Sequence, residues 1–320
     1  MKKVCDIDIE KIKSFKDLFA QFSASGGFQA KNLGEAAEVF KNFFKKDVLK
    51  FLSFPADIIS TGARGVINYF LKNKIFDVVI TTCGTLDHDL ARSFVPYYHG
   101  SFFSDDAQLL KKRIHRLGNV FIPFKNYGKI IENKMTEFMQ TLKANATLGT
   151  YAFCWQLGEF IAKEESLLYQ AARNKIPIII PAIYDGAVGY QLWALNKFAK
   201  NKIIIDSSKD EDLLNELVWK AKRSAALIVG GGISKHHLIW WNQFKNGLDY
   251  AIYISTATEY DGSLSGAQPK EAVSWSKIKA NAKYVSIFGE ATVILPLLAK
   301  YLYEELILTY NKIEARKRQE

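Results

Sequence analysis

Short runs of β-branched and aromatic residues recur along the chain, each closed by turn residues and followed by a longer stretch with helical spacing. Phe76-Asp77-Val78-Val79-Ile80 leads into Thr81-Thr82-Cys83-Gly84, and Ile176-Pro177-Ile178-Ile179-Ile180 leads to Pro181 and Asp185-Gly186. Residues 202–206, 225–229, 250–254 and 284–288 repeat the form. Runs this continuously apolar, alternating with helices, predict a parallel sheet buried on both faces. Apolar spacing at i, i+3 and i+4 predicts helices over 63–71, 167–173 and 212–223. Residues 292–308 predict an apolar helix with Pro296 in its first turns, where proline is tolerated. Residues 9–44 are expected to be largely helical around a break at Ser23-Ala24-Ser25-Gly26-Gly27. The predicted class is α/β: a doubly wound, mostly parallel, Rossmann-like sheet. No linker, repeat or low-complexity tract interrupts the chain, so one domain over 1–320 is expected, with a helical N-terminal extension over 1–45. Such sheets bind ligands beyond the carboxyl ends of their strands, and the polar and glycine motifs are expected there.

Composition narrows the class. Apolar residues make up 48% of 320, an ordinary globular share. The start, Met1-Lys2-Lys3-Val4-Cys5-Asp6, has no apolar targeting segment, and no run of about 18 uncharged apolar residues occurs, so a cytoplasmic protein is expected. Cys5, Cys83 and Cys154 are far apart and odd in number, which argues against a disulfide framework, and neither they nor the five histidines have zinc spacing. The net charge of +10 invites a nucleic-acid reading, but the lysines are scattered and no binding motif accompanies them. A solvated basic surface is the better account. A basic chain also repels polycations at long range, so any amine pocket must rely on local carboxylates.

The segment richest in chemistry is 260–278, Tyr-Asp-Gly-Ser-Leu-Ser-Gly-Ala-Gln-Pro-Lys-Glu-Ala-Val-Ser-Trp-Ser-Lys-Ile. Its small residues let backbone approach a ligand closely. It then presents a carboxylate, Glu271, and a lysine, Lys277, two residues after Trp275. A lysine beside an indole can be partly desolvated and so freed as a nucleophilic amine, although surface lysines commonly pack their stems this way. No Gly-x-Gly-x-x-Gly follows a first strand. Gly230-Gly231-Gly232 is compatible with a tight turn or with phosphate contact. Pro55-Ala56-Asp57-Ile58-Ile59-Ser60-Thr61-Gly62 can hold a pyrophosphate on backbone N–H groups, or simply cap a helix through Ser60 or Thr61.

The 260–278 segment resembles the active-site loop of the deoxyhypusine synthase family, which ends in Glu-Ala-Val-Ser-Trp-Gly-Lys-Ile. The likeness extends, in order, through Gly27-Phe28-Gln29-Ala30-Lys31-Asn32-Leu33-Gly34, Thr81-Thr82-Cys83-Gly84, Asp185-Gly186 and Gly230-Gly231-Gly232-Ile233-Ser234-Lys235-His236-His237. It covers the chain from about residue 26 to 308. The resemblance implies NAD as cofactor, with contacts from Ala56, Asp57, Ser60, Thr82, Cys83, Gly84, Asp87, Asp185, Gly230, Thr256, Asp261, Gly289, Glu290 and Ala291. It implies imine formation on Lys277 from a polyamine such as spermidine, with His236 as base and His237 as its structural neighbour. Glu271 and Trp275 would line the amine pocket. The butylamine group then passes to an acceptor, either a small amine or a lysine of the hypusine-bearing translation factor. A homotetramer with shared active sites is implied, with no nucleic-acid or membrane partner.

The chain departs from the family pattern at several positions. Asp57 replaces an asparagine and Glu290 an aspartate. Leu264 stands in place of an aspartate, Tyr190 replaces another, and His88 takes the place of a glutamate. Losing one buried charge-assisted bond costs about 2–5 kcal/mol, so three losses cast doubt on spermidine in its usual pose. Three readings stay open: an aminobutyl transferase with a different amine, making a product such as homospermidine; an orthodox deoxyhypusine synthase; or an inactive NAD-binding paralogue.

Overall fold

The structure, a computed structural model, describes residues 1–200 and 202–317. Its centre is a parallel sheet of Val48–Ser53 (β1), Val78–Ile80 (β2), Ile178–Ile179 (β3), Arg223–Val229 (β4), Leu248–Ser255 (β5) and Ile278–Phe288 (β6). The strand order is β6-β5-β4-β1-β2-β3. The chain runs outward one way from β1 and the other way from β4. That is the order of the dinucleotide-binding α/β fold, and it opens a crevice where the carboxyl ends of β1 and β4 diverge.

Alternation along each strand feeds two cores. Leu52, Val79, Leu227 and Ile252 face the N-terminal helices, the 83–94 region and the helix Ala291–Lys317. Phe51, Ile80, Ile228 and Tyr253 face Leu214, Val218, Leu238 and Ala272. Burial on both faces is what a parallel sheet covered by crossover helices requires. At the N-terminus, Ser14 Oγ accepts from Asp17 N to start the helix Phe15–Ser25, which stops at Gly26 in the left-handed region (φ +67°). Phe19 then stacks on Tyr301 with ring centroids 5.0 Å apart, tying this extension to the Ala291–Lys317 helix. No helix among the described residues is long and apolar enough to cross a membrane.

Several expectations need correction. β1 was not foreseen, although it lies mid-sheet; Lys50 interrupts its apolar run and pairs with Asp77 at 3.0 Å. Residues 202–206 do not join the central sheet: Ile204–Ile205 pairs only with Thr147–Leu148 in a two-stranded sheet. The helix expected over 212–223 spans Ser208–Lys220, and Arg223 opens β4. The break expected at 23–27 narrows to Gly26 and Gly27. An antiparallel sheet of Tyr98–His99, Ile114–Leu117 and Val120–Pro123 was also not anticipated. Lastly, Lys277 lies before the amino end of β6, not at a carboxyl end.

Asp89 joins three elements in the first core. Its carboxylate accepts from Arg64 Nε at 2.7 Å, Ser166 Oγ at 2.6 Å and the backbone N–H groups of Leu167 and Leu168. Both members of the ion pair are buried. Removing one partner strands the other charge, a loss of about 3–5 kcal/mol. Asp89→Ala is therefore expected to lower the thermal midpoint by several degrees in a calorimetric scan, whereas Asp106→Ala, at an exposed pair with Arg116, leaves it nearly unchanged.

Candidate active site

Two cavities flank the loop 262–268. The first, about 590 Å³, opens at the strand-order switch. Its walls come from the ends of β1 (Pro55, Asp57), β2 (Thr82), β4 (Val229 to Gly232), β5 (Ile254 to Ala257) and β6 (Gly289 to Ala291). Gly230 and Gly232 both adopt φ +64°, which favours glycine. A Cβ on Gly231 would lie 2.3 Å from Ser265, so no side chain can stand between that turn and the loop. The helix Gly232–Gln243 starts there with no side-chain cap. Its first N–H groups are thus available to a phosphate, and the space beside Gly232 is open. A dinucleotide fits this arrangement.

Of the residues proposed for cofactor contact, Asp57, Thr82, Gly230, Thr256, Gly289, Glu290 and Ala291 line this crevice. The others are not among its walls. Ser60 is buried and donates to Asp57 O at 2.6 Å. A Cβ on Gly84 would meet Ala56 at 2.9 Å, so these two support the crevice from below. Glu290 accepts from Thr292 N and Val293 N, capping the last helix while remaining exposed. Asp87 is buried and accepts from Tyr127 Oη and from the N–H groups of Ala187 and Val188. It thereby joins the Thr81–Gly84 motif to the Asp185–Gly186 motif a hundred residues away. Burial pushes its carboxyl up, against donors that hold it down. Cys83 is buried beneath Gly186, and burial, reinforced by the Asp87 carboxylate, keeps its thiol protonated. Asp185 and Asp261 are exposed; Asp261 accepts from Ser263 N.

The second cavity, about 380 Å³, holds Lys277, Glu271, Trp275, His236 and Leu264 together. Lys277 is fixed at its backbone: its N–H donates to Ala272 O and its carbonyl accepts from Leu248 N. Ser276 before it adopts φ +56°, at the position where the family pattern has glycine. The Lys277 ammonium stands 5.5 Å from the Trp275 ring centroid. His236 stacks on Trp240 with centroids 5.9 Å apart. Burial, then the Lys277 ammonium, lower the proton affinity of His236, so the ring is neutral near pH 7. His237 is turned away and meets Glu211 at 3.3 Å.

Tyr190 and His88 are not among the walls of this cavity. Tyr190 is exposed beside Trp193. His88 is buried against Tyr97, and burial takes its proton affinity down to a pKa of about 4.

Several wall residues escaped the sequence reading: Lys235, Ile239, Trp240, Gln243 and Tyr253. Positions 235, 236, 239, 240 and 243 share one helix face, a spacing that was legible once the helix was extended past His237. Lys235 is 1% exposed, donates to Leu264 O at 2.7 Å and Ala267 O at 2.8 Å, and sits 4.3 Å from the Tyr253 ring centroid.

The order of strands and the glycine-lined crevice define an α/β protein of the dinucleotide-binding type with a lysine-bearing side cavity. Residues 17–302 match the family model for deoxyhypusine synthase. The chain is 49% identical to a Picrophilus torridus protein over 92% of this chain and 95% of that one. It is 50% identical to a Thermoplasma volcanium protein over 93% and 96%. Both relatives are named probable deoxyhypusine synthase. In fold it resembles a solved structure from Entamoeba histolytica described as a candidate deoxyhypusine synthase, with TM-score 0.63, 19% identity and coverage of 93% and 96%. The chain belongs to the deoxyhypusine synthase family.

Burial lowers the Lys235 pKa from 10.5 to about 8, against a smaller opposing pull from Glu271. Between those pH values the unfolded chain holds a proton that the folded chain has released. Stability therefore rises with pH across this window, by about 3 kcal/mol at most. Thermal midpoints taken from pH 7 to 10 are expected to show this gain in the natural chain relative to Lys235→Met. Parallel curves for the two proteins would contradict it.

Proposed function

We propose that the chain transfers an aminobutyl group from a polyamine donor to an acceptor amine, with Lys277 as its covalent carrier. The observation that carries this reading is the single cavity shared by Lys277, Glu271, Trp275 and His236 beside the glycine-lined crevice. Asp57, Thr82, Thr256, Glu290 and the 230–232 turn would hold NAD, which would supply the oxidation of the donor C–N bond and its later reversal. Glu271 pairs with a donor ammonium. Neutral His236 accepts the proton that the donor's secondary amine must lose. The Lys277 amine, once neutral, adds to the donor carbon as the original C–N bond breaks and the departing diamine takes up a proton. Trp275 and Trp240 limit water at the resulting imine. The acceptor amine then displaces Lys277.

The names of the relatives support a protein lysine as acceptor. Leu264 favours a second reading, in which a small amine serves. With Tyr190 and His88 outside the Lys277 cavity of this chain, Leu264 alone carries that case here. An inactive paralogue would have no need to keep Lys277, Glu271 and His236 in one cavity. Exposed aromatic residues such as Tyr184, Tyr190 and Trp193 support the homotetramer, whose contacts would cover them.

Borohydride added during turnover with spermidine is expected to fix the butylamine group on Lys277, read by peptide mapping; an adduct on another lysine overturns the assignment. His236→Gln is expected to lower kcat about 10²- to 10⁴-fold while NAD affinity stays constant. Labelled spermidine offered with the translation factor or with 1,4-diaminobutane separates the two acceptors. Leu264→Asp is expected to improve spermidine use.

A further inference from the structure

The glycine-lined crevice is acidic in a basic chain. Its walls carry two carboxylates, Asp57 and Glu290, and no lysine, arginine or histidine among the described residues, although the chain has a net charge of +10. Arg92, which donates to the carbonyls of Ile59 and Thr61, is not a wall. The two acids stand on opposite sides of the 230–232 turn. Asp57 follows β1, which lies beside β4, whereas Glu290 follows β6, beyond β5 on the other side. The Asp57 carboxylate has no hydrogen-bond or ion-pair partner among the described residues. Glu290 is fixed by the N–H groups of Thr292 and Val293, so it offsets the positive end of the helix Ala291–Lys317. The helix start at Gly232, with neither a side-chain cap nor an acid in its first turn, is left to hold phosphate. A dinucleotide with its pyrophosphate there would send one nucleoside towards Asp57 and the other towards Glu290. Whichever way round it lies, the adenosine ribose and the nicotinamide ring each approach a carboxylate that no cation in the walls balances. The nicotinamide ring is cationic when oxidised and neutral when reduced, so the acid on its side favours the oxidised form. A phosphate on the adenosine ribose, which sites of this type accommodate with an arginine, would meet a carboxylate instead.

We infer that Asp57 and Glu290 make this crevice selective for the oxidised, unphosphorylated dinucleotide, so that NAD⁺ binds more tightly than NADH and much more tightly than NADP⁺. This rests on NAD as the cofactor of the proposed reaction. It gives a role to the acid that Asp57 introduces where the family pattern has asparagine. Tighter binding of the oxidised form makes bound NADH the stronger reductant, by about 30 mV for each tenfold of preference. The return of the hydride is thereby favoured over its loss from the donor.

Calorimetric titration of the full chain with NAD⁺, NADH and NADP⁺ makes the test and needs no amine. The natural chain is expected to bind NAD⁺ about 3- to 10-fold more tightly than NADH, and at least about 10-fold more tightly than NADP⁺. Both ratios are expected to shrink as salt is raised from about 0.05 to about 0.5 M, because the acids act through charge. Asp57→Asn and Glu290→Gln are each expected to lower one ratio several-fold and spare the other, and together to lower both. Equal or tighter binding of NADH by the natural chain, or ratios unmoved in the double variant, overturns the inference. Should none of the three dinucleotides bind, the crevice is not a cofactor site and the proposed reaction fails with it. Should Glu290→Gln lose its helix cap and its thermal midpoint, Asp57→Asn alone and the salt series decide. Ratios that neither the variant nor salt moves then overturn the inference.

Discussion

The buried ammonium of Lys235 is the constraint around which both cavities are built. With 1% of its surface exposed, it holds the carbonyls of Leu264 and Ala267 and rests over Tyr253. Those carbonyls belong to the loop that separates the crevice from the lysine cavity. The loop is also pinned from the other side, because Gly231 leaves no room for a Cβ against Ser265. Backbone approach at Gly231 and ammonium coordination at Lys235 are four residues apart on one helix start, so a single turn positions the wall for both ligand spaces. The desolvation that lowers the Lys235 pKa is the cost of this clamp, and a neutral amine would still have two N–H donors for the two carbonyls.

The sheet explains why two cavities exist. Divergence of β1 and β4 creates the crevice, as strand order alone demands. The lysine cavity has another origin, on the flank of the sheet between the helix Gly232–Gln243 and the short helix Pro269–Ser274. Lys277 enters it because β6 begins early: Leu248 pairs with Ile278, whereas Tyr250 pairs with Lys283. Five residues of β6 thus span what two residues of β5 cover. This irregularity carries the strand back along β5 and sets the segment before it, with Lys277 and Trp275, beside the helix face of His236.

Much of this was legible in the amino-acid order. The apolar runs at 76–80, 225–229, 250–254 and 284–288 became strands because burial on both faces selects such runs whatever their neighbours. β1 was harder to see, since Lys50 breaks its run and is reconciled with burial only by Asp77, from a different strand entry. Residues 202–206 misled for the opposite reason: they are apolar enough for the sheet but find a partner at Thr147–Leu148 instead. In the site, Lys277, Glu271, Trp275 and His236 were found as a group because they lie in recognisable segments. Lys235, Gln243 and Tyr253 were not: the spacing that aligns 235 and 243 with His236 shows only when the helix is extended past the motif, and Tyr253 reaches the cavity only through the fold.

Charge then sets the terms on which an amine can enter. Among the walls of the lysine cavity stand two amino groups, one carboxylate and an imidazole whose affinity for a proton is reduced. Fully protonated, the pair of amines outweighs Glu271, and the whole chain carries +10 besides. A polyamine with every nitrogen charged meets repulsion here both at long range and at contact. That repulsion eases when a proton is lost, from the ligand or from a cavity amine. Burial, with the Lys277 ammonium beside it, lowers the proton affinity of His236, and burial lowers that of Lys235, so the walls themselves relieve part of this excess.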